Sequence, residues 1–132
     1  MKIVLDTNVL VSAIVFGGKP KDIIVSVVES GEMLCISTFV KTELRRMLAE
    51  KFSFDEERLA EVEHFISDSF IRNEPTSVPK VIKRDLSDNN VLALATFVAA
   101  DYIVSGDNDL LELGSYQGIS ILTPHQFLDR RN

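Results

Sequence analysis

The sequence has little of what several chemistries require. It holds one cysteine, Cys35, so no internal disulfide can form, and no cysteine–histidine cluster is present to bind zinc. That residue lies in the apolar run Met33-Leu34-Cys35-Ile36, which predicts a buried packing role and not a nucleophile. There are two histidines, His64 and His125, and neither has a partner in sequence that suggests a catalytic triad. No apolar run approaches the ~18 residues of a membrane-crossing helix. Met1-Lys2 leads straight into Ile3-Val4-Leu5, an apolar stretch too short for a signal peptide, so a soluble, cytoplasmic chain is expected. Internal repeats and low-complexity tracts are lacking as well. Cations are in deficit: 14 Lys and Arg against 20 Asp and Glu leave a net charge of −6, without the basic excess usual in nucleic-acid-binding domains. Net charge does not say where charges sit, however, and carboxylates that bind a divalent ion reverse the local sign.

What is present is enough for a core. A chain of 132 residues, 45% hydrophobic and 26% charged, is expected to form a single domain over 1–132 without disulfide support. Short apolar runs at Ile3-Val4-Leu5, Met33–Ile36, Tyr102-Ile103-Val104 and Ile119–Leu122 predict buried strands. Between them lie helical patterns. One runs from Val9 to Phe16 and closes at Gly17-Gly18. A second starts near Pro20 with Ile23, Ile24, Val27 and Val28 inward and stops at Gly31. A third follows Ser37 with Val40, Leu44, Met47 and Leu48 inward, and a fourth spans about Asp55 to Ile71 with Leu59, Val62, Phe65, Ile66 and Phe70 as its stripe. An extended stretch between Pro75 and Ile82 precedes an apolar helix opened by Asp88. Thr123-Pro124 starts a last short helix, and Asp129–Asn132 looks like a loose tail. Phe39, Phe97 and Phe127 are expected in the core. The alternation predicts an α/β fold, a three-layer α/β/α sandwich around a mainly parallel sheet.

Ligands of such sheets bind beyond the carboxyl ends of the strands. Asp6 is placed there after the first strand, and Asp107 and Asp109 after the Tyr102 strand. Asp88 opens the helix leading into that strand. Glu43 sits at the edge of an inward helical stripe. Each residue alone has an ordinary explanation as a cap, a turn former or a helix-edge acid. Their coincidence at one edge is what suggests a site, because converging carboxylates repel unless a cation joins them. Oxygen-only ligands suit Mg²⁺ or Mn²⁺, which can polarise a phosphodiester and activate water.

These segments together, Ile3-Val4-Leu5-Asp6-Thr7-Asn8-Val9-Leu10, Thr42-Glu43-Leu44, Asp85-Leu86-Ser87-Asp88-Asn89 and Tyr102 to Leu111, resemble the PIN-domain family, and within it the VapC-like toxins of toxin–antitoxin systems. The resemblance covers nearly the whole chain. It implies a ribonuclease that uses Mg²⁺ or Mn²⁺ to cleave single-stranded RNA. Carried over, Asp6, Glu43, Asp88 and Asp107 are its catalytic metal ligands and Asp109 an auxiliary one, with Thr7, Asn8 and Asn89 in support. Many relatives carry a further Asp where Asn89 stands, so either Asp88 or Asn89 holds the ligand position. Lys19, Lys41, Arg45, Arg46 and Lys83 are candidate RNA-contacting cations, with Lys41 and Arg45 preferred because they lie within a turn of Glu43. A homodimer and a small antitoxin partner are implied too, using the outer faces of the helices from Pro20 and Asp55.

Other readings fit less well. Gly17-Gly18-Lys19-Pro20 lacks the length and the Ser/Thr of a phosphate loop. A dehalogenase-like phosphotransferase needs a second Asp at position 8, which is Asn8, and a receiver domain needs a lysine that Tyr102–Asp107 lacks. A catalytically weak PIN-like module that binds nucleic acid or a partner stays open through Asn89.

Overall fold

Strand β1 (Lys2–Leu5) forms the centre of the molecule because all its residues beyond Lys2 are buried, with layers on both faces. The computed structural model describes residues 1–84 and 86–131. Along the chain β1 is followed by α1 (Thr7–Val15), α2 (Gly18–Glu29), β2 (Met33–Ile36), α3 (Thr38–Phe52), α4 (Glu56–Ser69) and β3 (Phe70–Arg72). Then come α5 (Ser87–Val98), β4 (Tyr102–Val104), α6 (Asn108–Leu113), β5 (Ser115–Tyr116), β6 (Ile119–Leu122) and α7 (Pro124–Arg131). The strands form one sheet in the order β3-β2-β1-β4-β6-β5, parallel except for β5.

Successive strand residues point to opposite faces, and the core divides accordingly. Ile3, Leu5, Leu34, Ile36, Val104 and Leu122 pack with α1, α2, α3, α4 and α7. Val4, Cys35, Ile103 and Ile121 pack with α5 and α6 on the other face. This is the expected α/β/α sandwich. The chain leaves β1 toward β2 and β3, then returns to place β4, β6 and β5 on the other side. The β1/β4 junction is therefore the switch point at which ligands of open parallel sheets bind.

Local signals set the helix ends. Asp6, Ser37 and Asp55 accept hydrogen bonds from the backbone N–H groups of Val9, Val40 and Arg58 at the starts of α1, α3 and α4. Thr123 and Gln126 form a reciprocal capping box at α7, with each side chain accepting from the other's backbone N–H. The turn between α1 and α2 needs left-handed backbone at Gly17 and Gly18, φ +76° and +61°, which glycine adopts without strain.

Several expectations need correction. Phe70 keeps the spacing of the α4 stripe, but the helix stops at Ser69 and Phe70–Arg72 pair with β2 as an edge strand. Phe70 stays buried either way, so its apolar spacing could not choose between the two. The short elements α6 and β5 were not foreseen. Val28, Phe39 and Phe97 are exposed, at 48%, 39% and 50%, whereas Phe127 is in the core.

The tail is not loose as far as it is described; Asn132 lies outside the described residues. α7 continues through Arg131, whose guanidinium donates to the Ser26 carbonyl and Oγ, to Ser30 Oγ and to Glu32 at 2.6 Å. It also lies over the Phe127 ring, 5.2 Å from its centroid. Arg131 holds the Glu32 carboxyl below its ordinary pKa of 4.5. A depressed carboxyl pKa stabilises the fold above the unfolded value and loses that effect as pH falls through the folded one. Arg131→Ala is accordingly expected to lower stability by about 1–3 kcal/mol in urea denaturation near pH 7. The gap from the native chain should narrow below pH 4.5; a pH-independent gap would show that Glu32 is not the partner that matters.

Candidate metal centre

Five acidic side chains reach the carboxyl end of β1 and β4 from four elements of the chain. Asp6 ends β1 and caps α1. It is 3% exposed, with one carboxylate oxygen accepting from the Val9 N–H at 2.9 Å and the other from the Ser105 hydroxyl. Ser105 follows β4, is fully buried, and accepts the Asp107 N–H at 2.9 Å on the same oxygen. One hydroxyl therefore links the residue after β1 to the residue that caps α6. Asp107 in turn accepts the N–H groups of Asp109 and Leu110 at 2.9 and 3.2 Å.

Carboxylate oxygens of Asp88, Asp107 and Asp109 lie within 4.8 Å of one another. Asp88 is buried in the first turn of α5, and the other two are half-buried. Asp88 also lines a polar cavity of about 300 Å³ together with Asp6, Thr7, Asn8 and Glu43. It is thus common to the three-carboxylate group and to the cavity that holds Asp6 and Glu43. Arg46 and Lys51 of α3 and Ser87 complete the polar wall, and Met47 and Val91 supply the apolar part.

The donor set consists of oxygens, is partly buried and is negatively charged, which fits a hard divalent cation. Electrostatics at Asp6 agree. Burial pushes its pKa up to about 6, and the nearby Asp107 charge adds to this, against the hydrogen bonds from Ser105 and Val9. A carboxylate so placed is short of positive charge.

Asp88 and Asn89 play different parts. The Asn89 amide faces away from the acids, where its oxygen accepts the N–H groups of Val81 and Ile82 at 3.1 and 2.8 Å and its nitrogen donates to the Ile82 carbonyl at 2.8 Å. It clips Val81 and Ile82 onto α5, and the carboxylate brought to Asp107 and Asp109 is that of Asp88. Asp85, the other acid of this segment, lies outside the described residues.

The cations fall differently from expectation. Lys41 pairs with Glu63 at 2.6 Å and Arg45 with Glu56 at 2.8 Å, both on α4, and neither lines the cavity. Lys19 contacts His125 on α7. Arg46 does line the cavity, as does Lys51, which sequence reasoning passed over. Lys83 and Arg84 border a second cavity beside Asp109. Ser105 was missed as well; its signal is a lone polar residue directly after a buried strand and two before an acid.

A parallel α/β sandwich with converging carboxylates at its switch point offers an oxygen donor set suited to a divalent cation. The chain belongs to the PIN domain family, whose model matches residues 2–109 and whose members are generally nucleases. No curated protein matches it in sequence. A chain in the crystal structure of VapBC2 from Rickettsia felis, bound to a DNA fragment from their promoter, is similar with a TM-score of 0.65 at 17% identity, covering 92% of this chain and 97% of that one. A chain in the structure of FitAcB from Neisseria gonorrhoeae is similar with a TM-score of 0.59 at 15% identity, covering 93% and 98%.

Two outcomes follow from the geometry. The Asp6 pKa is raised from 3.8 to about 6, so the metal-free folded state holds a proton that the unfolded state releases across that window, and stability falls as pH rises through it. By pH 7 the loss amounts to about 3 kcal/mol. Relative to the native chain in chelator, Asp6→Asn should gain stability between pH 4 and 7 by up to that amount, and a divalent metal should stabilise only the native chain; parallel pH curves would refute this. Asn89→Asp places a carboxylate against the Ile82 carbonyl and removes a donor. It should cost about 1–3 kcal/mol and leave metal affinity, read by calorimetry, no tighter. Tighter binding would return position 89 to the ligand set.

Proposed function

We propose that this chain, acting as one domain over 1–132, is an endoribonuclease that cleaves single-stranded RNA with Mg²⁺ or Mn²⁺, the toxin half of a toxin–antitoxin pair. The observation that carries this reading is the acidic centre itself, in which Asp88 joins the Asp107 and Asp109 carboxylates to the cavity lined by Asp6 and Glu43. Asp6, Glu43, Asp88 and Asp107 would hold the metal, with Asp109 as an auxiliary carboxylate. When bound, Mg²⁺ or Mn²⁺ at such a site acidifies water and offsets the charge that develops on phosphoryl oxygens.

The chain's own residues supply placement. Asp6 cannot swing, because Ser105 and the Val9 N–H fix both of its oxygens. Asp107 is fixed by the first turn of α6. Glu43 lines the same cavity as Asp88 and would orient an attacking water there. Thr7 and Asn8 lie beside Asp6 on the cavity wall, and Met47 and Val91 limit bulk water there.

The likeness to chains of the VapBC2 and FitAcB structures supports a small antitoxin protein as partner. A homodimer and a cytoplasmic location complete the proposal; among the described residues no helix is long and apolar enough to cross a membrane. The reading as an inactive binding module rested on Asn89 occupying a ligand position, and the Asn89 amide is committed to Val81 and Ile82.

The test is cleavage of labelled single-stranded RNA with Mg²⁺, with Mn²⁺ and with chelator. Cleavage should need metal, and Glu43→Gln and Asp107→Asn should each slow it on the order of 100-fold or more. Folded protein that cleaves none of several RNAs with either metal would overturn the proposal in favour of a binding module.

A further inference from the structure

We propose that a single RNA strand crosses the acidic centre between two pairs of cations, Arg46 with Lys51 on one side and Lys83 with Arg84 on the other. Its phosphates are then held on both sides of the bond to be cut. This rests on the nuclease reading above and adds the path of the substrate.

The path follows from two cavities that border the same group of acids. The first is lined by Arg46 and Lys51 together with Asp6, Glu43 and Asp88. The second is lined by Val81, Ile82, Lys83, Arg84, Asp109 and Glu112. Asp88 belongs to the first and Asp109 to the second, and their carboxylate oxygens lie within 4.8 Å of each other. The acidic centre thus borders two cavities, each lined by two cations. Lys83 and Arg84 follow directly on Val81 and Ile82, the two residues that the Asn89 amide clips in place.

The state of the cations agrees. Arg46 and Arg84 are exposed and rest against acids, Glu50 at 3.0 Å and Asp109 at 3.9 Å. Exposed pairs of this kind are weak and can be exchanged for phosphate. Among the described residues neither Lys51 nor Lys83 forms an ion pair, although 20 acids outnumber 14 Lys and Arg in this chain. Unpaired lysines flanking an acidic centre on both sides suit a polyanion that passes over it, and contacts on both sides dictate cutting within a strand rather than from an end.

The test is the salt dependence of binding. A fluorescein-labelled oligouridylate of roughly 12 nucleotides is titrated with the full chain in Ca²⁺ buffer, after checking that the oligonucleotide stays intact. Each single-strand phosphate contact contributes about 0.7 to the slope of log K against log salt. Lys51→Ala and Lys83→Ala should each lower the slope by about that amount, and the double variant by about twice as much, with unchanged circular dichroism and melting temperature. Arg130→Ala, at the opposite end of the strands, should leave the slope alone. Native slopes in both lysine variants, or an effect confined to one of them, would overturn the two-sided path. Cleavage by the native chain with unaltered variant slopes would sink this inference and leave the nuclease standing. Slope changes without any cleavage would do the reverse.

Discussion

A carboxylate buried to 3% exposure at the end of the central strand must be solvated by something other than water, and the acidic centre is organised around that requirement. Asp6 receives one hydrogen bond from the start of α1 and one from Ser105. The first exists because α1 begins at once after β1. The second exists because β4 pairs with β1 in the register Leu5 with Val104, which sets the next residues of the two strands side by side. Ser105 passes the constraint to Asp107, and Asp107 to the first turn of α6. Two hydrogen bonds do not fully replace hydration, as the upward pKa shows. A bound divalent cation would supply counter-charge there, so the same burial that destabilises the metal-free chain would raise the benefit of binding one.

The fold was legible where burial is complete. β1, β2, β4 and β6 are covered on both faces, and each appears as a short apolar run, broken by a polar residue only at Ser120 of β6. What escaped was decided by partners. Phe70 satisfies a helical stripe and an edge strand equally, and the free edge of β2 settled the matter. β5 has two residues and α6 has six, too short for any periodicity to register. The ordered end of α7 depends on Arg131 meeting Glu32 across 99 residues, which no local pattern can show.

In the site, Asp6, Asp88, Asp107 and Asp109 could be placed because position at the carboxyl end of a parallel sheet follows from topology. The cations of α3 could not be ranked by closeness to Glu43 along the chain, because a helix surface is sorted by angle. Arg46, Met47 and Lys51 stand three, four and eight residues beyond Glu43, on its own face. Lys41 and Arg45 stand two residues to either side of it and turn toward α4 instead. Asn89 shows the same division between adjacent residues. Asp88 turns to the acids and Asn89 to the backbone of the preceding connection, so a single helical turn serves both the centre and the arm that borders it.

Cys35 lies in β2 on the α5 side of the sheet, 3% exposed, with burial raising its thiol pKa. Alkylating reagents attack the thiolate, and here they meet neither solvent access nor ionisation. Its modification therefore waits for the second strand of the sheet to part from its neighbours. The chain carries its own clock for opening of its interior, a single-hit label whose rate in reagent excess reports how often the central layer comes apart, with or without bound metal, and with no probe added.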